Sequence, residues 1–242
     1  DGAGYYEFYT IAIDSAGNTE AAPAVADARY RYLGDATPPV SSVDAIVGYW
    51  QTSSPYTVTA TATDTQTGVA NVTLWFRSSA DNLTWTAWTA YALDNAVPWS
   101  WSFSYPSGSA YYQFQTTSYD NASNEEVAPA LADTTCAYDI VKPTIQDTSA
   151  LMATTGEPFT VTATVLDNMA LDHVYLRYWF GTGSEVNISI SGNPRMYPIV
   201  IPTSSVNVLQ YRIAAVDLAG NWNVTVTRNV PVSDNDPPVA DA

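Results

Sequence analysis

The stretch that decides the fold is YQFQTTSYDNASN, residues 112–124, because the chain contains it in three copies. The other copies are YEFYTIAIDSAGN at 6–18 and, more loosely, LQYRIAAVDLAGN at 209–221. Their aspartates, Asp14, Asp120 and Asp217, lie 106 and then 97 residues apart. Roughly 100 residues is the length of one small β-sandwich, so this period predicts whole domains in tandem and not a solenoid of short repeats.

Segments that alternate between apolar and polar residues occur between these copies. YTVTATATD at 56–64 returns as FTVTATVLD at 159–167, and VTLWF at 72–76 returns as VYLRY at 174–178. A period of two indicates half-buried strands, and no segment sustains a helical period. The fold class is therefore predicted to be all-β.

The motif at 112–124 resembles strand F of immunoglobulin-like (Ig-like) and fibronectin type III-like sandwiches, with Tyr112 near the corner of the strand. Segment 56–64, followed by Gly68-Val69 and by VTLWF, resembles strands B and C of tandem bacterial and archaeal Ig-like extracellular surface repeats. The resemblance covers nearly the whole chain, although the third copy has Leu209 where the others have tyrosine. It implies tandem Ig-like β-sandwiches joined by short proline-containing linkers. Such modules serve as spacers, adhesins, surface-layer components and appendages of secreted enzymes.

Proline marks the domain boundaries, at TPPV 37–40, KPTI 142–145 and DPPV 236–239. Proline cannot donate to a β-ladder and stiffens a linker, so an extended rod of domains is expected. The predicted divisions are the C-terminal strands F and G of a truncated or partner-completed Ig-like domain at 1–34, an Ig-like sandwich at 35–140, a second at 141–233, and a linker to a further domain at 234–242.

The charge of the chain limits its partners. It has 24 acidic residues against 8 basic ones, for a net charge of −16. This balance argues against nucleic acid or an anionic membrane as a partner and favours cations, with solubility alone as the simpler explanation. No apolar run approaches 18 residues, so we expect no direct membrane insertion in this segment.

Aspartates recur where strands meet the predicted linkers. In an Ig-like sandwich the B–C and F–G loops lie at the end that receives the incoming linker, so Asp64 and Asp120 should meet near Asp35. In the next sandwich, Asp167 and Asp217 should likewise meet near Asp139. Carboxylate and carbonyl oxygens around a joint would suit Ca²⁺, the only cofactor considered. The alternative is that Asp-x-Ala-Gly-Asn only forms a hairpin turn. The complete set of candidate calcium ligands is Asp35, Asp64, Asp120, Asp139, Asp167, Asp217, Asp234 and Asp236.

Two further sets of residues are candidates for contact with sugars. Five Asn-x-Ser/Thr triplets are potential glycosylation sites, at Asn71, Asn82, Asn121, Asn187 and Asn223, of which Asn82 and Asn187 are the best candidates. An exposed, coplanar pair among Trp85, Trp88 and Trp50 would form a sugar-stacking platform. The alternative is that these rings pack over the core or an edge of the sandwich.

No set of catalytic residues can be assembled from the sequence. His173 is the one histidine, so neither a zinc site nor a Ser-His-Asp triad can be built convincingly, and we predict no enzyme. We predict instead an extracellular, cell-surface protein with a structural or adhesive role: a spacer, filament, sheath or surface-layer component. Its expected partners are other copies of itself, neighbouring surface proteins or glycans. The alternative is an accessory carbohydrate-binding module of a secreted enzyme.

Overall fold

The computed structural model describes residues 4–32 and 34–235, and these residues form twenty β-strands. The described residues include no helix long and apolar enough to cross a membrane. The all-β prediction is confirmed.

The first repeat forms a two-stranded antiparallel hairpin of β1 (Gly4–Phe8) and β2 (Ala28–Tyr32). Its aromatic side chains are uncovered: Tyr5 is 80% exposed and Phe8 54%. The equivalent of Phe8 in the second repeat, Phe114, is 0% exposed. Among the described residues, the hairpin therefore has the strand pairing of a sandwich edge and no opposing sheet, and its completion by a partner stays a prediction.

The second repeat lies in a sandwich of two sheets, hereafter the first sandwich. Its strands are β3 (Val40–Val43), β4 (Trp50–Gln51), β5 (Tyr56–Thr63), β6 (Val69–Ser79), β7 (Thr89–Asp94), β8 (Ser100–Phe103), β9 (Ala110–Asp120) and β10 (Thr134–Tyr138). One sheet has the order β3-β5-β8 and the other β4-β10-β9-β6-β7. Strands A, B and E thus face strands C′, C, F and G, which is an Ig-like arrangement.

The third repeat lies in a second sandwich of the same topology. Its strands are β11 (Thr144–Asp147), β12 (Ala153–Thr154), β13 (Pro158–Leu166), β14 (Leu171–Phe180), β15 (Val186–Ser189), β16 (Arg195–Val200), β17 (Leu209–Asp217), β18 (Trp222–Val224), β19 (Arg228–Val230) and β20 (Val232–Ser233). The sheet β11-β13-β16 faces β15-β14-β17-β18, and β19 also pairs with β17. The predicted tandem Ig-like fold is confirmed by this strand order.

The two cores use different side chains. The first is aromatic and centres on Phe103, which is 0% exposed. Its ring centroid lies 4.7–5.6 Å from those of Phe76, Tyr91, Tyr105, Tyr112 and Phe114. The second core is mainly aliphatic, with Leu176, Ile199, Leu209 and Ile213 at 0–1% exposure. Each sandwich therefore has its own hydrophobic core.

A tyrosine corner closes the first sandwich, as the resemblance implies. The Tyr112 hydroxyl donates to the Gly108 carbonyl (2.9 Å) and accepts from the Ser107 amide (3.0 Å). In the second sandwich Leu209 occupies the equivalent position and is buried. There Tyr211, two residues later, donates to Asp147 Oδ2 across 2.7 Å, so a different hydroxyl bonds to a different partner.

Tyr112→Phe is expected to lower the free energy of unfolding of the first sandwich by about 1–3 kcal/mol, because it leaves a carbonyl and an amide without their partner. Urea denaturation measures this change. Tyr138→Phe is the matched control, since that ring is also buried (8% exposed) and belongs to the same core. Equal losses in the two variants would contradict a stabilising corner.

The exposed hairpin should be the least stable element of this chain. An isolated two-stranded hairpin is marginal in water, so the amides of Tyr6 and Tyr30, which face each other in the ladder, should exchange hydrogen far faster than those of β9. Hydrogen exchange with mass spectrometry tests this. Slow hairpin exchange that appears only at high protein concentration would instead support completion by a second copy.

Candidate metal centres at the domain joints

Three chain segments converge at the start of each sandwich: the incoming linker, the B–C loop and the F–G turn. In the first sandwich they bring together Asp35, Asp64 and Asp120, and one oxygen from each lies within 4.8 Å of the others. In the second sandwich Asp139, Asp167 and Asp217 form the same triad within the same limit. The sequence therefore placed all six carboxylates in their correct groups. Whether they hold a metal stays a prediction.

The repeated aspartate of the F–G turn is also a turn residue. Asp120 Oδ1 accepts from the Ala122 and Asn124 amides (both 2.8 Å), and its Oδ2 accepts from Asn124 Nδ2 (2.7 Å). The turn at Asp217 repeats the bonds from the asparagine amide and side chain, and the turn at Asp14 repeats all three. In the hairpin, hydrogen bonds from Asn18 hold the pKa of Asp14 below its usual range. The repeated aspartate therefore forms the hairpin turn, and in the two sandwiches it also belongs to a carboxylate triad.

The asparagine that ends each repeat copy reaches the linker, a role that we did not predict. Asn124 Nδ2 donates to the Asp35 carbonyl (3.2 Å), and Asn221 Nδ2 donates to the Asp139 carbonyl (3.1 Å). One side chain thus closes its own turn and holds the preceding linker. The conserved spacing of Asp and Asn in all three copies was the available signal.

The linker between the two sandwiches is hydrogen-bonded on both sides. The Asp139 amide donates to the Gln51 carbonyl of the first sandwich (3.0 Å). On the other side, the Asp139 carbonyl accepts from Asn221, and the Pro143 carbonyl accepts from Asn223 Nδ2 (2.8 Å).

The carboxylates of the first joint are largely satisfied by the protein. Asp64 Oδ1 accepts from three backbone amides, those of Gln66, Thr67 and Gly68, at 2.7–3.1 Å. Asp35 Oδ2 accepts from the Thr67 hydroxyl (2.8 Å). Although desolvation opposes its ionisation, the amides of Gly68 and Thr67 hold the pKa of Asp64 below its usual range. Among the described residues, no carboxylate oxygen of this joint is buried without a hydrogen-bond partner.

The carboxylates of the second joint are buried without a full set of partners. Asp139 is 0% exposed; its Oδ1 accepts from the Val141 amide (3.0 Å) and Asn168 Nδ2 (3.1 Å), but its Oδ2 has no partner. Asp167 Oδ2 accepts from two backbone amides, and its buried Oδ1 has no partner. Asp217 is 2% exposed. Two oxygens of this cluster are thus buried and unsatisfied.

Electrostatics at the second joint are unfavourable for the protein alone. No ion pair in the described residues includes Asp139, Asp167 or Asp217. Burial, together with the charges of Asp139 and Asp217, raises the pKa of Asp167. Burial and the charges of Asp139 and Asp167 likewise raise the pKa of Tyr111, in β9 of the first sandwich. The cluster therefore lies where both sandwiches contribute to its surroundings.

The last two candidate ligands lie after the second sandwich. Asp234 Oδ1 accepts from the Thr155 hydroxyl (3.0 Å). Asp236 lies outside the described residues. Asp234 belongs to neither triad.

The five glycosylation triplets differ in how accessible their asparagines are. Asn82, at φ 58° in a loop tip, and Asn187, on strand β15 at the edge of its sheet, are exposed. Asn121 donates its Nδ2, the atom that would carry a glycan, to the Thr67 and Gly68 carbonyls, and Asn223 donates its Nδ2 to Pro143. Asn71 is half-buried. Modification remains a prediction for all five.

The tryptophans of the sugar-platform hypothesis are half-buried and do not form one group. The Arg77 guanidinium lies over the rings of Trp88 (4.6 Å to the centroid) and Trp85 (5.5 Å). Trp50 lies in β4, at the opposite edge of the sheet from β7, and packs against Tyr111 (6.0 Å). A guanidinium already occupies a face of two of these rings, so no observation favours a sugar platform.

No protein-family model matches this chain, and no curated protein matches it. Among solved structures, the chain is similar to fibronectin(III)-like modules of CbhA from Clostridium thermocellum, with 15% identity, a TM-score of 0.38, and 84% of this chain and 100% of that one covered. It is also similar to the FN1–FN3 domains of chicken CNTN1, with 14% identity, a TM-score of 0.32 and coverage of 92% and 76%. A third match is a tetra-tandem repeat from the extending region of a large adhesion protein, with 19% identity and a TM-score of 0.38; 92% of this chain and 55% of that chain are covered. The strand order, and not these likenesses, carries the fold assignment.

Proposed function

We propose that the chain is a segment of an extracellular structural or adhesive repeat protein, in which Ig-like sandwiches act as spacers in series. The observation that carries this proposal is the recurrence of one joint: the same Asp-Asn turn holds the incoming linker at Asp35 and again at Asp139. A protein that only needed separate binding domains would have no use for joints built alike. A spacer needs them, because its length depends on the orientation at each joint.

Bonds on both sides of the linker support a defined orientation. The Asp139 amide is bonded to the first sandwich and its carbonyl to the second, so rotation about this residue would break hydrogen bonds at one side or the other. Each such bond contributes about 0.5–1.5 kcal/mol. Several together favour one arrangement over a freely jointed linker.

Asn223→Ala is expected to broaden the distribution of distances between the two sandwiches, because it removes the bond to Pro143 without touching the Asp217 turn. Spin labels on cysteines introduced at Leu83 and Val206, which are 84% and 57% exposed, report that distribution by electron–electron double resonance. Asn187→Ala is the control, since this exposed side chain lies on an edge strand away from the linker.

The native cysteine should not interfere with this measurement. Cys136 is 0% exposed, and burial raises the pKa of its thiol to about 12, so it stays protonated and unreactive towards the label. If the spin-labelled chain with Asn223 intact had a distance distribution as broad as that of Asn223→Ala, the spacer proposal would be contradicted.

A cell-surface location is consistent with the composition and with the exposed glycosylation triplets. Immunogold labelling of intact source cells with antibodies to this chain should place it outside the membrane.

Expression in a glycosylating host should add hexose at Asn82 and Asn187 and leave Asn121 unmodified, as peptide mass spectrometry would detect. Copies of the same chain, neighbouring surface proteins and glycans remain the proposed partners.

A further inference from the structure

The second joint contains buried carboxylate oxygens without hydrogen-bond partners, and the described residues of the first joint contain none. We propose that Asp139, Asp167 and Asp217 bind one Ca²⁺ at the joint between the two sandwiches. This inference deepens the proposed spacer function and rests on it only for the mechanical role of a bound ion. The evidence for the site itself comes from its own atoms.

The unpartnered oxygens carry the argument. Asp139 is 0% exposed, yet its Oδ2 has no hydrogen-bond partner, and Asp167 Oδ1 is likewise buried and unpartnered. Leaving a buried charged acceptor unsatisfied is costly, and such groups are normally paired or coordinate a metal. Because one oxygen of each of the three carboxylates lies within 4.8 Å of the others, a single cation can contact all three.

The first joint is an internal comparison. It has the same three positions, but Thr67 donates its hydroxyl to Asp35, and Asp64 accepts three backbone amides. The loop after Asp64 runs to Gly68, and that after Asp167 runs only to Ala170 before strand β14 begins. The shorter loop supplies two backbone amides where the longer one supplies three. At the first joint, amides and a hydroxyl of the protein thus satisfy the carboxylates; at the second joint, a cation would do so.

The donor set suits a hard divalent ion. Three carboxylates provide oxygen ligands only, and Ca²⁺ takes 6–8 oxygens, so water would supply the remainder. Mg²⁺ demands near-ideal octahedral geometry and gives up its water reluctantly, which favours Ca²⁺ for a site shared by three chain segments. Binding would reduce the local charge from −3 to −1 without moving the turn hydrogen bonds of Asp217.

The test is calorimetric titration of the whole chain with CaCl2 after treatment with a chelator, in parallel with MgCl2. We expect one site per chain with Kd of about 10⁻⁴–10⁻³ M, as in extracellular modules. Asp167→Asn should weaken binding at least tenfold, because it removes one charge while its remaining oxygen can still accept from the loop amides. Asp64→Asn, the equivalent change at the first joint, should leave binding unchanged.

Thermal melting with and without Ca²⁺ gives a second measure of the site. Calcium should raise the midpoint of the second sandwich in the parent and in Asp64→Asn, and should not in Asp167→Asn. Absence of calcium binding, or equal loss in both variants, would overturn the proposal. The proposal would also be overturned if Asp167→Asn without calcium were as stable as the parent with calcium. Neutralising one carboxylate would then stabilise the joint as much as the ion does. Stoichiometry tests the site and the spin-label distances test the spacer, so each can fail alone.

Discussion

Replacement of Phe103 by alanine is expected to remove about 3–5 kcal/mol from the free energy of unfolding of the first sandwich. Phe103 is 0% exposed, and five aromatic rings surround it with centroids 4.7–5.6 Å away. Truncation would lose both the buried area and the edge-to-face contacts, and rigid rings cannot easily collapse into the space left. With total stabilities of roughly 5–15 kcal/mol for a domain, the first sandwich would be close to unfolding.

The second sandwich provides the control for this variant. The two cores share no residue, so the unfolding transition of the second should stay where it is in the parent. Urea denaturation followed by hydrogen exchange assigns each transition to its sandwich. Leu83→Ala, at an 84% exposed position, corrects for substitution alone. A Phe103→Ala chain with both transitions shifted equally would show that the sandwiches unfold as one unit.

The second large effect is expected from Asp147→Ala in the second sandwich. Asp147 Oδ2 accepts from the Tyr211 hydroxyl (2.7 Å) and from Arg228 Nη1 (2.8 Å). Removing it leaves Arg228 Nη1 and the Tyr211 hydroxyl without their acceptor inside the sandwich. Breaking a buried pair in this way costs about 3–5 kcal/mol, and we expect about 3 because roughly a fifth of each charged side chain stays exposed (18% and 23%).

Arg228 contributes by more than its ion pair. Its Nη2 also donates to the Ser149 and Ala150 carbonyls (both 2.9 Å), so the side chain ties strand β19 to the segment after β11. Calorimetry should therefore show the second transition lowered in Asp147→Ala and in Arg228→Ala, with the double variant less than additive. Additive losses would indicate that the two residues act independently.

The same network predicts a pH dependence. Burial opposes ionisation of Asp147, but hydrogen bonds from Ser149 and Tyr211 and the Arg228 guanidinium hold its pKa below the usual range. A carboxyl with a lowered folded pKa stabilises the fold above its unfolded pKa, and this stability is lost as the pH falls through the folded pKa. The second sandwich should lose stability below about pH 4 more steeply in the parent than in Asp147→Asn, as melting across pH would show.

The sequence was sufficient for the fold and for the grouping of the joint carboxylates. The repeat period, the alternation and the position of Asp64 and Asp120 at strand ends are local signals, and the Ig-like topology converts them into contacts. The partners of Asp147 could not be predicted in this way, because Tyr211 and Arg228 lie 64 and 81 residues away. No local signal specifies a pair of that separation.

The difference between the joints was also beyond the sequence. Both have an aspartate at the same three positions. The joints differ in the number of loop amides within reach, in the Thr67 hydroxyl that donates to Asp35, and in the full burial of Asp139. The two tryptophans show a similar limit: spacing placed Trp85 and Trp88 near each other but did not reveal that Arg77 covers both.

Because Asp139 is bonded through its amide to one sandwich and through its carbonyl to the next, a force that pulls the sandwiches apart would act on these hydrogen bonds before it acts on the β-ladders. Once freed from these bonds, residues 139–143 could span at most roughly 17 Å at about 3.4 Å per residue, so the extension gained is smaller than this by the distance that they already cover. If these hydrogen bonds broke first, the linker could lengthen while both sandwiches stayed folded.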